Sequence, residues 1–203
     1  MNRRQFLRNG LKGTAAYVLL PATLLGTHNA MAGKGQGSGR YKVTPTDPAT
    51  EEEIQYLMYM REEEKLARDV YLTMYDKWKT HVFSNIADSE QVHTLAVKAK
   101  IDAYGLDDPV ENDDVGVFVD EKLAELYETL IDQGSISEMD ALWVGGAIEE
   151  IDMIDLQEAI DSAEHPDIAR VYQNLMDGSK NHLRAFVSSI ESRGMEYLSL
   201  IHI

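Results

Sequence analysis

Four long stretches of this chain carry apolar residues at helical spacing, and no segment alternates with a period of two. That pattern commits the chain to an all-α fold. In the first stretch the stripe is Leu57, Met60, Ala67, Tyr71, Met74 and Trp78, and Thr50 followed by Glu53 is a capping box, so a helix is predicted over about 50–79. The second helix is expected from near Ser84 to just before Gly105, with Ile86, Val97, Ile101 and Tyr104 as its stripe. Residues 105–120 are acidic and broken by Gly and Pro, a loop. A short helix over about 121–133 follows, capped by Asp120 and stopped by Gly134. A third long helix is expected after Ser137 to about Ala163, and His165-Pro166-Asp167 breaks the chain and caps a fourth, running to near Gly194.

The stripes contain residues that apolar cores exclude. The first passes through Glu64, the second through Glu90 and His93, the third through Glu150 and the fourth through His182. Each long helix thus aims an ionisable side chain at the bundle axis. Burying an unpaired carboxylate costs several kcal/mol, so these groups must pair, protonate or bind metal. Glu90 and His93 are three apart on one helix face, close enough to reach one ion. On the third helix one residue of phase exchanges Glu150 for its neighbour Glu149. Glu62 and Glu63, beside Glu64, fall off the stripe and read as solvated face. His81, His165 and His202 read as surface groups, Tyr71 as packing, and Met58, Met60 and Met74 as core.

Two helical hairpins joined by a link of about 30 residues, Gly105 to Ser137, have the connectivity of ferritin-like four-helix bundles, here with a short extra helix in the crossover. The residues add a resemblance. Glu64-Lys65-Leu66-Ala67-Arg68-Asp69-Val70-Tyr71 resembles the Glu-x-x-Ala-x-x-x-Tyr start of ferritin-like di-iron proteins, and Glu90-Gln91-Val92-His93 resembles their Glu-x-x-His. Glu150 and His182 sit where the third and fourth helices of that superfamily supply a Glu and a His. The runs Arg61–Asp69 and Gly178–Phe186 are similar to a prokaryotic family of unknown function placed in the same superfamily. The resemblance implies the bundle, and metal ligands at Glu64, Glu90, His93, Glu150 and His182. It also implies a pair of iron or manganese ions and leaves the reaction open.

One position departs from the pattern. The fourth helix reads Ser179-Lys180-Asn181-His182, where the resemblance expects Glu-x-x-His. Four outcomes follow. The second ion is weakly held with water in its place, the site holds one ion, Asp152 or Asp177 substitutes, or the site is a metal-free vestige.

Composition narrows the functions. The net charge of −16 excludes a non-specific nucleic-acid binder and disfavours docking on anionic lipid. Cysteine is absent, which removes disulfides, thiolate metal sites and a catalytic thiol, so any metal must be held by His, Asp and Glu. At the start of the chain, Arg3 and Arg4 followed by Phe6 and Leu7 resemble a twin-arginine export signal. The apolar run after them is too short for a permanent membrane helix, and Ala30-Met31-Ala32 suits cleavage after Ala32. The expected organisation is a cleaved signal over 1–32, a Gly/Ser/Pro-rich linker over 33–48 and a helical domain over 49–203. Such a protein is exported, periplasmic or extracellular, with no membrane anchor after cleavage. Its partners are expected to be a metal ion and a small oxidant. Three functions stay open: a di-metal oxidase, peroxidase or ferroxidase; metal storage in the cell envelope; and a metal-free bundle acting as a binding module.

Overall fold

A computed structural model describes residues 47–199; the expected signal over 1–32, most of the linker, and His202 lie outside the described residues. The described residues form five helices and no strand: α1 (Glu51–Trp78), α2 (His81–Tyr104), α3 (Glu121–Gly134), α4 (Glu138–Ser162) and α5 (Pro166–Glu191). None of these helices is long and apolar enough to cross a membrane.

The ends of the helices follow local chemistry. Thr50 accepts from the Glu53 amide at 3.2 Å while the Glu53 carboxylate accepts from the Thr50 amide at 2.9 Å, closing the capping box. Asp120 and Ser137 cap α3 and α4 through their side chains. Two differences from expectation have clear causes. α2 begins at His81 rather than near Ser84, because Phe83 is fully buried against Tyr71 and Phe186 and is already helical there. Asp167 does not cap α5; it accepts from Tyr104 and Lys100, and His165 occupies the cap position. Nor is His165 a free surface group, since its Nδ1 lies 2.7 Å from the buried Glu53 carboxylate, which also accepts from the amides of Glu164 and His165.

The helices pack as a bundle. α1 lies along α2 and α4 along α5; α1 also meets α4, α2 meets α5, and α3 covers α1 and α4. The crossover buries what the sequence suggests is solvated. Arg61, Glu62, Lys65, Arg68 and Asp69 are buried with partners in it or beside it, and Glu63 is buried on the α4 side, next to Tyr59 and Asp155. Arg61 pairs with Asp108 at 3.0 Å, and Arg68 with Asp113 at 2.8 Å. Lys65 bonds Asp69 and the Asp114 carbonyl, and Glu62 accepts the amides of Val119 and Asp120. The charges of α1 therefore bind the long connection to the bundle, and every residue from Tyr59 to Tyr71 is buried.

Candidate metal centre

Four helices bring six ionisable side chains into the interior: Glu64 from α1, Glu90 and His93 from α2, Glu149 and Asp152 from α4, and His182 from α5. The i,i+3 spacing on α2 places Glu90 Oε2 2.7 Å from His93 Nδ1, and the same nitrogen lies 3.2 Å from Glu64 Oε2. On the other side, His182 Nδ1 is 2.8 Å from Glu90 Oε1 and 3.4 Å from Glu149 Oε2. Glu90 thus stands between two imidazoles, whose rings stack with centroids 5.3 Å apart. Glu90, His93 and His182 each offer a donor atom within 4.8 Å of the others. Tyr71 donates to Glu149 at 2.5 Å, and Ser89 sits 2.9 Å from His182 Nε2.

Electrostatics divides these groups. Burial opposes charge on His93, but the Glu64 and Glu90 carboxylates outweigh it and push the imidazole up to about 11. His182 is pushed up to about 10 by Glu149 and Glu90 in the same way. Burial would raise Glu90, yet the two histidines pull it down to about 2. Glu64 rises to about 8 through burial, and Glu149 to about 7 through burial and the Glu90 charge. Asp152 is held well above the usual carboxylate range by burial and by Glu64, Glu149 and Glu90. Without a cation, the cluster balances its charge with protons.

Of the expected residues, Glu64, Glu90, His93 and His182 are brought together, and Glu150 is not. It is fully buried on another side of α4, where the Tyr197 hydroxyl hydrogen-bonds to it. Glu149 takes the place facing His182. One residue turns a helix by 100°, and every residue of α4 from Val144 to Glu150 is buried, so its apolar pattern does not select a phase. A usable signal existed in the sequence: Glu149 and Asp152 are spaced by three, as Glu90 and His93 are. Asp152 meets the fourth long helix at the position where the resemblance expects a Glu, because the Ser179 hydroxyl donates to it. Asp177 is exposed and pairs with Lys180 at 3.6 Å.

The donor set fits a metal. Glu64 Oε1 and Asp152 Oδ1 are buried with no hydrogen-bond partner. A buried polar atom left without a partner costs about 1–3 kcal/mol, so two in one cluster are the atoms a bound cation would satisfy. Oxygen and imidazole donors without thiolate suit iron, manganese or zinc.

The family described as an uncharacterized protein domain, DUF2202, matches residues 53–201. The chain is 52% identical over 153 residues to the uncharacterized protein MJ0754 of Methanocaldococcus jannaschii, covering 75% of this chain and 83% of that protein. The crystal structure of the hypothetical protein MJ0754 from Methanococcus jannaschii is similar with a TM-score of 0.76 at 51% identity, covering 78% of this chain and 91% of that one.

Proposed function

The chain belongs to the DUF2202 family, and from its own residues we propose that it is a ferritin-like four-helix bundle that holds two divalent ions, iron or manganese, and handles a small oxidant. The observation that carries this reading is the convergence of four carboxylates and two histidines from four helices, with two of the carboxylate oxygens, Glu64 Oε1 and Asp152 Oδ1, unsatisfied.

A bound iron or manganese pair supplies the redox chemistry, in reaction with dioxygen or peroxide or in the oxidation of Fe(II). The residues do the rest. Glu90 and His93, with Glu64, would hold the tighter ion, and His182, with Glu149 and Asp152, would hold the weaker one. Four carboxylates match the charge of two divalent cations, which makes the absence of a Glu at position 179 tolerable. Ser179 fixes Asp152 and Tyr71 fixes Glu149, so each carboxylate is oriented before an ion arrives. Burial of the whole cluster keeps bulk water from the reacting centre.

The closed ion pairs around Glu90 favour one competing reading, a metal-free bundle whose Glu–His contacts set helix register. Anaerobic titration of apo protein with Fe(II) or Mn(II) separates the two. Wild type should bind two ions unequally, His93→Ala should bind none, and His182→Ala should lose mainly the weaker ion. Peroxide or Fe(II) consumption then separates turnover from storage, and no binding leaves the metal-free bundle as the better reading.

A further inference from the structure

The two histidines of the centre are held in different ways. An imidazole has two ring nitrogens, and a metal can take either, so the surroundings must choose. His93 Nδ1 lies 2.7 Å from Glu90 Oε2 and 3.2 Å from Glu64 Oε2. The far edge of that ring is held by close packing, because a Cβ on residue 178 would fall 2.5 Å from both its Cε1 and its Nε2. The far edge of His182 instead meets a hydrogen-bonding group. Its Nδ1 faces Glu90 Oε1 at 2.8 Å and Glu149 Oε2 at 3.4 Å, and its Nε2 lies 2.9 Å from Ser89 Oγ. Ser89 directly precedes Glu90 on α2, so this contact reaches from one helix of the centre to another.

The orientation of the His182 ring follows from these contacts. Turning it over about its Cβ–Cγ bond would aim Cδ2 at the carboxylates and Cε1 at the serine hydroxyl. The orientation found keeps both nitrogens on oxygen. Nδ1 then looks into the centre, and Nε2 carries a proton that it donates to Ser89 Oγ. Ser89 is half-buried, so its own hydroxyl proton can turn to solvent. The hydrogen bond made by one ring nitrogen decides that the other is the one offered to a metal.

We propose that Ser89 is a positioning residue of the metal centre: by accepting from Nε2–H of His182 it keeps Nδ1, beside Glu90 and Glu149, as the nitrogen that meets the ion. The proposal rests on the metal-centre reading above. It completes a pattern. Tyr71 donates to Glu149 and Ser179 to Asp152, so each of the three groups that α4 and α5 bring to the centre has a hydroxyl that orients it, and the three hydroxyls come from three different helices. Through Ser89, the helix that carries Glu90 and His93 also fixes the imidazole of the weaker ion.

Zn(II) is the probe, because it is diamagnetic and accepts oxygen and imidazole donors. NMR of the Zn(II)-loaded chain with isotope-labelled histidine should place the metal on His182 Nδ1 and the proton on Nε2. In calorimetric titration, Ser89→Ala should bind the ion at His182 about tenfold more weakly and the ion at His93 as wild type does. Alanine suits a helix interior, so this variant keeps the fold. Ser89→Thr retains the hydroxyl and should stay within about twofold of wild type. Zn(II) on Nε2 of His182, Zn(II) bound without His182, or wild-type affinities in Ser89→Ala would each overturn the role of Ser89 and leave the metal centre standing. A Ser89→Thr variant as weak as Ser89→Ala makes the loss one of packing and overturns the role too. A wild-type chain that binds no Zn(II) overturns the metal-centre reading and this one together.

Discussion

A Cβ on residue 178 would fall 2.5 Å from Nε2 of His93. Gly178 on α5 is therefore the recess that receives the imidazole of α2, and it lets the two helices hold His93 and His182 in a stack. Gly→Ala in a helix interior ordinarily stabilises by about 0.5–1 kcal/mol. Here the sign should reverse. Gly178→Ala should destabilise the apo protein by about 1–3 kcal/mol through overpacking and should lower metal content, as read by denaturant unfolding and elemental analysis.

Glu149 and Glu150 are neighbours with different surroundings. Glu149→Gln should reduce the metal bound per chain, because the residue faces His182 and Tyr71. Glu150→Gln should leave metal content near wild type and instead loosen Tyr197, which stacks on Trp143 at 4.8 Å. Metal analysis and protease sensitivity of the C-terminal segment check the two halves. Equal metal loss in both variants would contradict the assignment.

Metal binding should be linked to protons. His93 and His182 are raised from 6.5 to about 11 and about 10. Their stabilising ion pairs are fully present below pH about 6.5 and are lost as pH rises through about 10–11. A metal ligand must be neutral imidazole, so ions displace these protons at neutral pH. Affinity for Mn(II) should increase from pH 6 to pH 8, with proton release seen as buffer-dependent heats in calorimetry.

Glu53 ties the start of α1 to the turn before α5. Burial would raise its carboxyl, but donation from the amides of Thr50 and His165 and from the His165 ring holds it below the usual value of 4.5. A depressed carboxyl stabilises above its unfolded pKa and loses that contribution as pH falls through the folded value. Glu53→Gln should cost about 1–3 kcal/mol at pH 7, with the gap to wild type closing below pH about 4. Chemical denaturation at several pH values measures it.

Export is the remaining proposal, carried by Arg3, Arg4 and Phe6. Replacing both arginines with lysine should leave uncut precursor in the cytoplasm, detected by fractionation and immunoblot. Normal processing of that variant would sink the claim.

The local parts of this protein were legible in the chain alone. Caps at Thr50, Asp120 and Ser137 depend on side chains within three residues, and the helical period sets the five helices to within a few positions. Glu90 with His93 was readable for the same reason, since three residues along one helix fix their separation. Contacts between helices were not readable. The charged run Arg61–Asp69 has the composition of a solvated face, and only the crossover folding over α1 makes it an anchor. α4 is buried on nearly every side near the centre, so apolar periodicity could not choose between Glu149 and Glu150; Tyr71 and His182 on other helices make that choice. Ser179 supporting Asp152, and Gly178 receiving His93, are likewise partnerships across helices. Sequence spacing governs geometry along one helix, but which faces meet is set by the packing of the whole bundle, and the paired groups of this centre belong to that second class.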